Sequence, residues 1–178
     1  MRSLLLAIAL LSLSACAVTG TEYSRNGLYA GASIIGAASN FDQQAIEDTE
    51  VSPGWGARAG YRFLDRFAVE AAYEGGEDFE FDSAGVNVEM QSLTLQGKFF
   101  VTTGAVQLYG MAGVGYLDPE TGTLGLDDTE PLGRLGAGVE MYLTPSLPLF
   151  IEVDYTWPTG DLEDLDYGTA QAGLLIRF

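Results

Sequence analysis

The chain has 178 residues, with 25 acids against 8 bases and no histidine, for a formal net charge of −17. Its length allows one domain. Without histidine, Ser-His-Asp and Asp-His hydrolase chemistry is excluded, and a single cysteine leaves no ordinary zinc site. Hydrophobic content is 47%, yet no apolar run beyond the N-terminus approaches the roughly 20 residues of a membrane helix.

In chain order, Arg2, the apolar run Leu4 to Leu13 and the small residues after it read as a signal peptide over residues 1–15, so export is expected. Two cleavage readings stand side by side. Leu13-Ser14-Ala15-Cys16 resembles a bacterial lipobox, which makes Cys16 a lipidation candidate; Ala15-Cys16-Ala17 also fits ordinary A-x-A cleavage after Ala17. Cys16 is the only cysteine, so an internal disulfide is impossible and an unlipidated thiol would stay unpaired in an oxidising compartment. Residues 16–26 then form a polar periplasmic linker ahead of the first strand.

From 27 to 178 the pattern has period two, which indicates strands. Eight runs are predicted, over 27–35, 54–63, 67–74, 86–101, 105–116, 132–142, 149–157 and 167–178. Core lengths of about 9–11 residues suit strands that cross a bilayer. Long connections (36–53, 75–85, 117–131, 158–166) take turns with short ones (64–66, 102–104, 143–148), and both termini fall on the short side. That sorting is expected of a barrel with periplasmic turns and surface loops. The fold class is therefore all-β, an eight-stranded antiparallel up-and-down transmembrane β-barrel.

Charge decides which parity meets lipid. One parity presents Leu28, Trp55, Tyr61, Val69, Leu93, Leu95, Val114, Leu135, Ile151 and Val153. The other carries Arg58, Arg62, Glu70, Glu74, Lys98, Arg134, Glu140, Glu152, Asp154 and Arg177. A base at the bilayer midplane costs about 2–4 kcal/mol, so turning the charged parity outward would cost on the order of 10 kcal/mol. The charged face is the lumen. Phe63, Phe67, Phe99 and Phe178 at the turn end, with Trp55, Tyr73, Tyr116 and Trp157 at the loop end, suit two interfacial girdles.

An eight-strand lumen is only just wide enough for side chains, and buried charges need partners. Spacing along the second and third strands sets Arg58 near Glu74 and Arg62 near Glu70, with Glu140, Glu152 and Asp154 facing Arg134, Lys98 and Arg177. Two functions follow from this network: a salt-bridged plug, or a narrow gated pore lined by the same groups. Glu152 and Asp154 read as counter-ions rather than an acid–base pair, so no catalytic residue, cofactor or enzyme activity is expected.

The long connections hold 17 acids, among them Asp42, Glu77, Asp118 and Asp161, and no lysine or arginine. Nucleic acid is excluded as a partner of that surface, because its phosphates would be repelled. Asp161-Leu162-Glu163-Asp164-Leu165-Asp166 is dense enough to attract a divalent cation weakly, but it lacks EF-hand spacing and its glycine, and a solvated charge run is the alternative. No metal ligand set is assigned.

The last strand resembles the C-terminal assembly signal of bacterial outer-membrane barrels, with Gln171, Gly173, Ile176 and terminal Phe178 as its elements. Leu28-Tyr29-Ala30-Gly31, Gly56-Ala57-Arg58-Ala59-Gly60-Tyr61-Arg62-Phe63, Val69-Glu70-Ala71-Ala72-Tyr73 and Gly136-Ala137-Gly138-Val139-Glu140 resemble strands of the OmpA-like/OmpX-like outer-membrane β-barrel family. The resemblance covers 27–178 and lies in the order of loose motifs. It implies a monomeric barrel in a Gram-negative outer membrane, with both termini periplasmic and contacts to membrane lipid, lipopolysaccharide and the barrel-assembly machinery. The implied role is structural, adhesive or surface-interacting, with a porin-like channel as the alternative. The wall-tethering role of full-length OmpA proteins is not implied, because no peptidoglycan-binding segment follows Phe178.

Overall fold

The computed structural model describes residues 26–39, 52–81, 86–120, 129–160 and 166–178. Eight strands follow in chain order: β1 Gly27–Ser39, β2 Ser52–Leu64, β3 Phe67–Phe81, β4 Val86–Phe100, β5 Val106–Glu120, β6 Glu130–Thr144, β7 Leu147–Pro158 and β8 Tyr167–Arg177. Each pairs antiparallel with the next, and β8 returns to β1 to close the cylinder. The closing ladder runs from Tyr29↔Arg177 to Ser39↔Tyr167, and the Phe178 amide donates to the Leu28 carbonyl at 2.9 Å. Closure leaves no strand edge exposed through the barrel wall.

Two-residue turns at Asp65-Arg66 and Pro145-Ser146 and the short bend 101–105 share one end with Gly27 and Phe178. That end is laced across neighbouring elements: the Phe100 amide donates to the Arg66 carbonyl and the Arg177 amide to the Ser146 carbonyl, both at 2.9 Å.

The ladders run further at the other end than alternation alone predicts. β3 continues to Phe81 and β5 to Glu120, while β6 starts at Glu130. Hence Glu77, Asp78 and Glu80 lie in β3, Asp118 and Glu120 in β5 and Glu130 in β6, not in loops, and the expected connection 75–85 shrinks to 82–85. Backbone pairing persists in water, whereas strict apolar alternation is enforced only where hydrocarbon touches the wall. A register shift between Glu74 and Glu77 marks the change, and Gly76, at φ +82°, supplies the backbone freedom it needs.

Exposure separates the two faces. Ile34 is 74% and Val114 67% exposed, whereas Arg62, Glu70 and Glu140 are 0% exposed. Aromatic clusters cap the apolar belt: Phe67 lies 6.3 Å from Phe63 and 5.0 Å from Phe99 at the turn end, and Trp55 lies 5.5 Å from Tyr73 at the loop end. Arranged this way, the wall is apolar outside and charged inside.

Candidate functional site

Side chains alternate along every strand, so the residues flanking each outward leucine or valine turn into the lumen. All ten charged residues of that parity are buried there: Arg58, Arg62, Lys98, Arg134 and Arg177 against Glu70, Glu74, Glu140, Glu152 and Asp154. Five bases thus share the lumen with five acids. The remaining 20 acids and three bases lie outside this set, so the whole net charge of −17 belongs to residues outside the lumen network.

The network forms three tiers. At the centre, Arg58 Nη1 stands 3.2 Å from both Glu70 Oε1 and Glu152 Oε1. Lys98 Nζ stands 3.0 Å from Glu70 Oε1 and 3.1 Å from Glu152 Oε2. This is a square of two bases and two acids from β2, β3, β4 and β7. Polar groups complete it: Tyr109 Oη donates to Glu152 at 2.6 Å, Gln96 to Glu70 at 2.7 Å, and Arg58 Nη2 to Gln171 Oε1 at 2.5 Å. Gln171 in turn donates to Glu152 at 3.0 Å.

Toward the loop end, Arg134 bridges Glu74 at 2.6 Å and Asp154 at 3.4 Å, and the Thr169 hydroxyl donates to Asp154 at 2.6 Å. Toward the turn end, Arg177 pairs with Glu140 at 2.7 Å. Arg62 meets no carboxylate among the described residues; it donates to Gln107 Oε1 at 2.6 Å and to the carbonyls of Leu64 and Asp65. The tiers therefore carry about +1 at the turn end, zero in the middle and −1 at the loop end. Four of these pairs, Arg58–Glu152, Lys98–Glu152, Arg134–Glu74 and Arg177–Glu140, join strands that are not neighbours, and such desolvated charge pairs act as cross-links across the lumen.

The pairing differs from the sequence expectation. Arg58 meets Glu70 and Glu152, while Glu74 belongs to Arg134. Register explains part of this, because Arg58 lies opposite Ala72, two residues from either glutamate. The rest is closure, which brings β2 face to face with β7 across the axis.

Aromatic rings are the component of the lumen that the sequence reading missed. Tyr29, Phe100, Tyr109 and Phe150 form a buried cluster with Ala68 and Leu175. The cations lie on these rings: Arg62 is 3.6 Å from the Phe100 centroid, Arg58 4.1 Å from Phe150 and Lys98 4.7 Å from Tyr109. Such contacts contribute roughly 0.5–2 kcal/mol each. The signal was available, because Phe100 shares its parity with Lys98 and Phe150 with Glu152. Glycines make room for two of the rings. Gly60 is the register partner of Tyr29 and Gly138 of Tyr109, and a Cβ at either would fall 2.5 Å from the tyrosine Cζ.

Of the expected assembly signal, Gln171 points into the lumen, Gly173 lies against Phe150, Ile176 faces outward and Phe178 is half-buried at the turn end. Cys16 and residues 161–165 lie outside the described residues, as do 40–51, 82–85 and 121–128 in the other long connections.

Among curated proteins, none matches this sequence. Solved structures do match its shape. Neisserial surface protein A superposes with a TM-score of 0.66 at 19% identity, covering 85% of this chain and 97% of its own. Ail, the attachment invasion locus protein of Yersinia pestis, gives 0.55 at 18%, covering 87% and 100%. The N-terminal β-barrel domain of Pseudomonas aeruginosa OprF gives 0.59 at 15%, covering 86% and 99%. At these identities the likeness is one of fold. The sequence itself matches the model of the outer membrane protein beta-barrel domain over residues 3–178, and with a closed eight-strand barrel, apolar outside and ion-paired within, the chain belongs to that family of outer-membrane barrels.

Proposed function

We propose that this barrel is a closed, non-enzymatic stake in the outer membrane whose work is done by its acidic loop end, in adhesion, surface interaction or support of the envelope. The observation that carries the reading is the division of charge. The lumen charges cancel in sum and all but Arg62 are ion-paired with one another, while the unbalanced acids all lie elsewhere. Eight strands leave little lumen beyond what side chains fill, and Glu152 and Asp154 are already held by Lys98, Arg58 and Arg134. In this reading the chain is monomeric, its turn end and both termini face the periplasm, and the barrel-assembly machinery inserts it.

Attachment is a role already built on this fold, since Ail is an attachment invasion locus protein. The chemistry recognised would differ. Ail has been crystallised with the heparin analogue sucrose octasulfate, a polyanion that an acidic crown would repel. Basic partners fit instead, as do divalent cations bridging to neighbouring lipopolysaccharide. The test is binding to the nanodisc-held protein at low and high salt. Polylysine should bind and be released by salt, and sucrose octasulfate should fail to bind; the reverse order refutes the reading. The alternative, a narrow channel for small solutes or ions, requires the central square to open. Planar-bilayer recordings are expected to show no discrete conductance steps, and steps abolished by E152Q would establish the channel instead.

A further inference from the structure

We infer that the cylinder is one four-stranded unit used twice, β1–β4 and β5–β8, and that the lumen faces of the two units are docking surfaces for each other. The recurring segments are Leu28-Tyr29 and Leu108-Tyr109, Ala59-Gly60 and Ala137-Gly138, Val69-Glu70 and Ile151-Glu152, and Thr94-Leu95-Gln96 and Thr169-Ala170-Gln171. Their registers coincide. In the first unit Tyr29 lies opposite Gly60, Gly60 opposite Glu70 and Glu70 opposite Gln96. In the second, Tyr109 lies opposite Gly138, Gly138 opposite Glu152 and Glu152 opposite Gln171. Packing repeats as well: a Cβ at Gly60 or at Gly138 would fall 2.5 Å from the tyrosine Cζ and 2.7 Å from a carbonyl of the next strand. So does bonding, since Gln96 donates to Glu70 Oε1 at 2.7 Å and Gln171 to Glu152 Oε1 at 3.0 Å. Membrane alternation fixes only which face a residue takes. It does not require tyrosine, glycine, glutamate and glutamine at matching ranks in both halves. The units differ at their joints: Gln96 lies opposite Gly113, four residues past Tyr109, whereas Gln171 lies opposite Ile35, six past Tyr29.

The units are alike in scaffold and opposite in charge. The first brings Arg58, Arg62 and Lys98 with Glu70 and Glu74; the second brings Arg134 and Arg177 with Glu140, Glu152 and Asp154. Their lumen faces therefore carry +1 and −1. Both bases that hold Glu152, at 3.2 and 3.1 Å, come from the first unit, and Arg134 of the second reaches Glu74 of the first at 2.6 Å. At the positions matching Arg58 and Lys98 the second unit has Gly136 and Gly173. A Cβ at Gly173 would fall 2.7 Å from the Phe150 ring, and Arg58 of the first unit lies 4.1 Å from that ring's centroid. The glycine thus seats the ring on which the other unit's base rests. Two first units would close with six bases against four acids, and two second units with the reverse, so like pairs would bury unmatched charge. Each unit fits the other and not itself.

The test uses the complete chain with a protease site inserted between Thr103 and Gly104. A Cβ at Gly104 would meet nothing within 4 Å, so the insert has room. The folded protein is cut, unfolded in urea and returned to phospholipid vesicles over a range of protein-to-lipid ratios. Rejoined barrel runs as one unheated gel band that separates into two pieces on heating. The pieces should rejoin, and an affinity tag ahead of Gly27 should capture both in equal amounts. A cut between Asp65 and Arg66, inside the first unit, should lose this recovery. E152Q removes the acid that Arg58 and Lys98 reach in the other unit. It should raise the protein-to-lipid ratio for half recovery about thirtyfold, the factor given by roughly 2 kcal/mol at 1.4 kcal/mol per tenfold. E140Q, whose base Arg177 lies in its own unit, should raise that ratio far less. No rejoining after the cut at Thr103, when the uncut protein with the same insert refolds, overturns the inference. So does equal recovery from the cut at Asp65, an equal shift for E152Q and E140Q, or an excess of the tagged piece among captured barrels.

Discussion

Glu152 is the side chain on which most of the lumen converges, and E152Q is the sharpest test of a closed interior. Its carboxylate is held by Arg58 at 3.2 Å and by Lys98 at 3.1 Å. It also accepts hydrogen bonds from Tyr109 and Gln171, at 2.6 and 3.0 Å. At an effective dielectric of about 20, each ion pair is an attraction of about 5 kcal/mol. The amide escapes several kcal/mol of carboxylate desolvation. The balance is a loss of about 3–5 kcal/mol, because Arg58 and Lys98 are left sharing Glu70 alone. Urea unfolding in phospholipid vesicles, followed by tryptophan fluorescence and by gel mobility of the folded form, measures it. Adding K98M removes the surplus charge, and the double variant should recover at least about 2 kcal/mol of the loss, a coupling that independent sites do not show. A water-filled lumen behaves otherwise. Near the dielectric of water each attraction falls to about 1 kcal/mol, so a cost below about 1 kcal/mol with no recovery in the double variant would refute the plug.

Four further substitutions probe the wall. G138A should cost about 1–3 kcal/mol by overpacking against the Tyr109 ring, while G97A, whose Cβ would meet nothing nearer than 4.0 Å, should stay within about 0.5 kcal/mol; the same unfolding assay compares them, and equal costs would contradict the ring-over-glycine packing. L135R places a base on the outward face, where Leu135 is 58% exposed, and should cost about 2–4 kcal/mol in vesicles; no loss there would contradict lipid contact. F178A should slow insertion in cells, read as accumulation of the unfolded gel band, and unchanged assembly would remove Phe178 from the signal.

The cylinder was legible because hydrocarbon imposes a rule on every wall residue. Where Leu93 and Leu95 must face lipid, Thr94 and Gln96 must face in, and one sequence suffices to see it. Above the membrane that rule lapses, and the continuation of β3 through Glu77 to Phe81 was hidden behind a register shift at Gly76. Inside, parity names the face of Arg58 but not its partner. Strands β2 and β7 are 94 residues apart at Arg58 and Glu152, and only closure of the ring decides that these two meet. The aromatics were passed over for a different reason. Phe100 and Phe150 look like wall residues by type, and only their parity with Lys98 and Glu152 shows that they serve as beds for cations.

The sorting of charge to one end also dictates how the molecule can enter a bilayer unaided. The turn end offers hydrocarbon little to resist, with Asp65 and Arg66 its described exposed charges, whereas dragging the acid-laden end through would mean stripping water from many carboxylates together. Added to preformed vesicles, the protein should therefore dive turns first and leave its loops on the side from which it came, open to external protease.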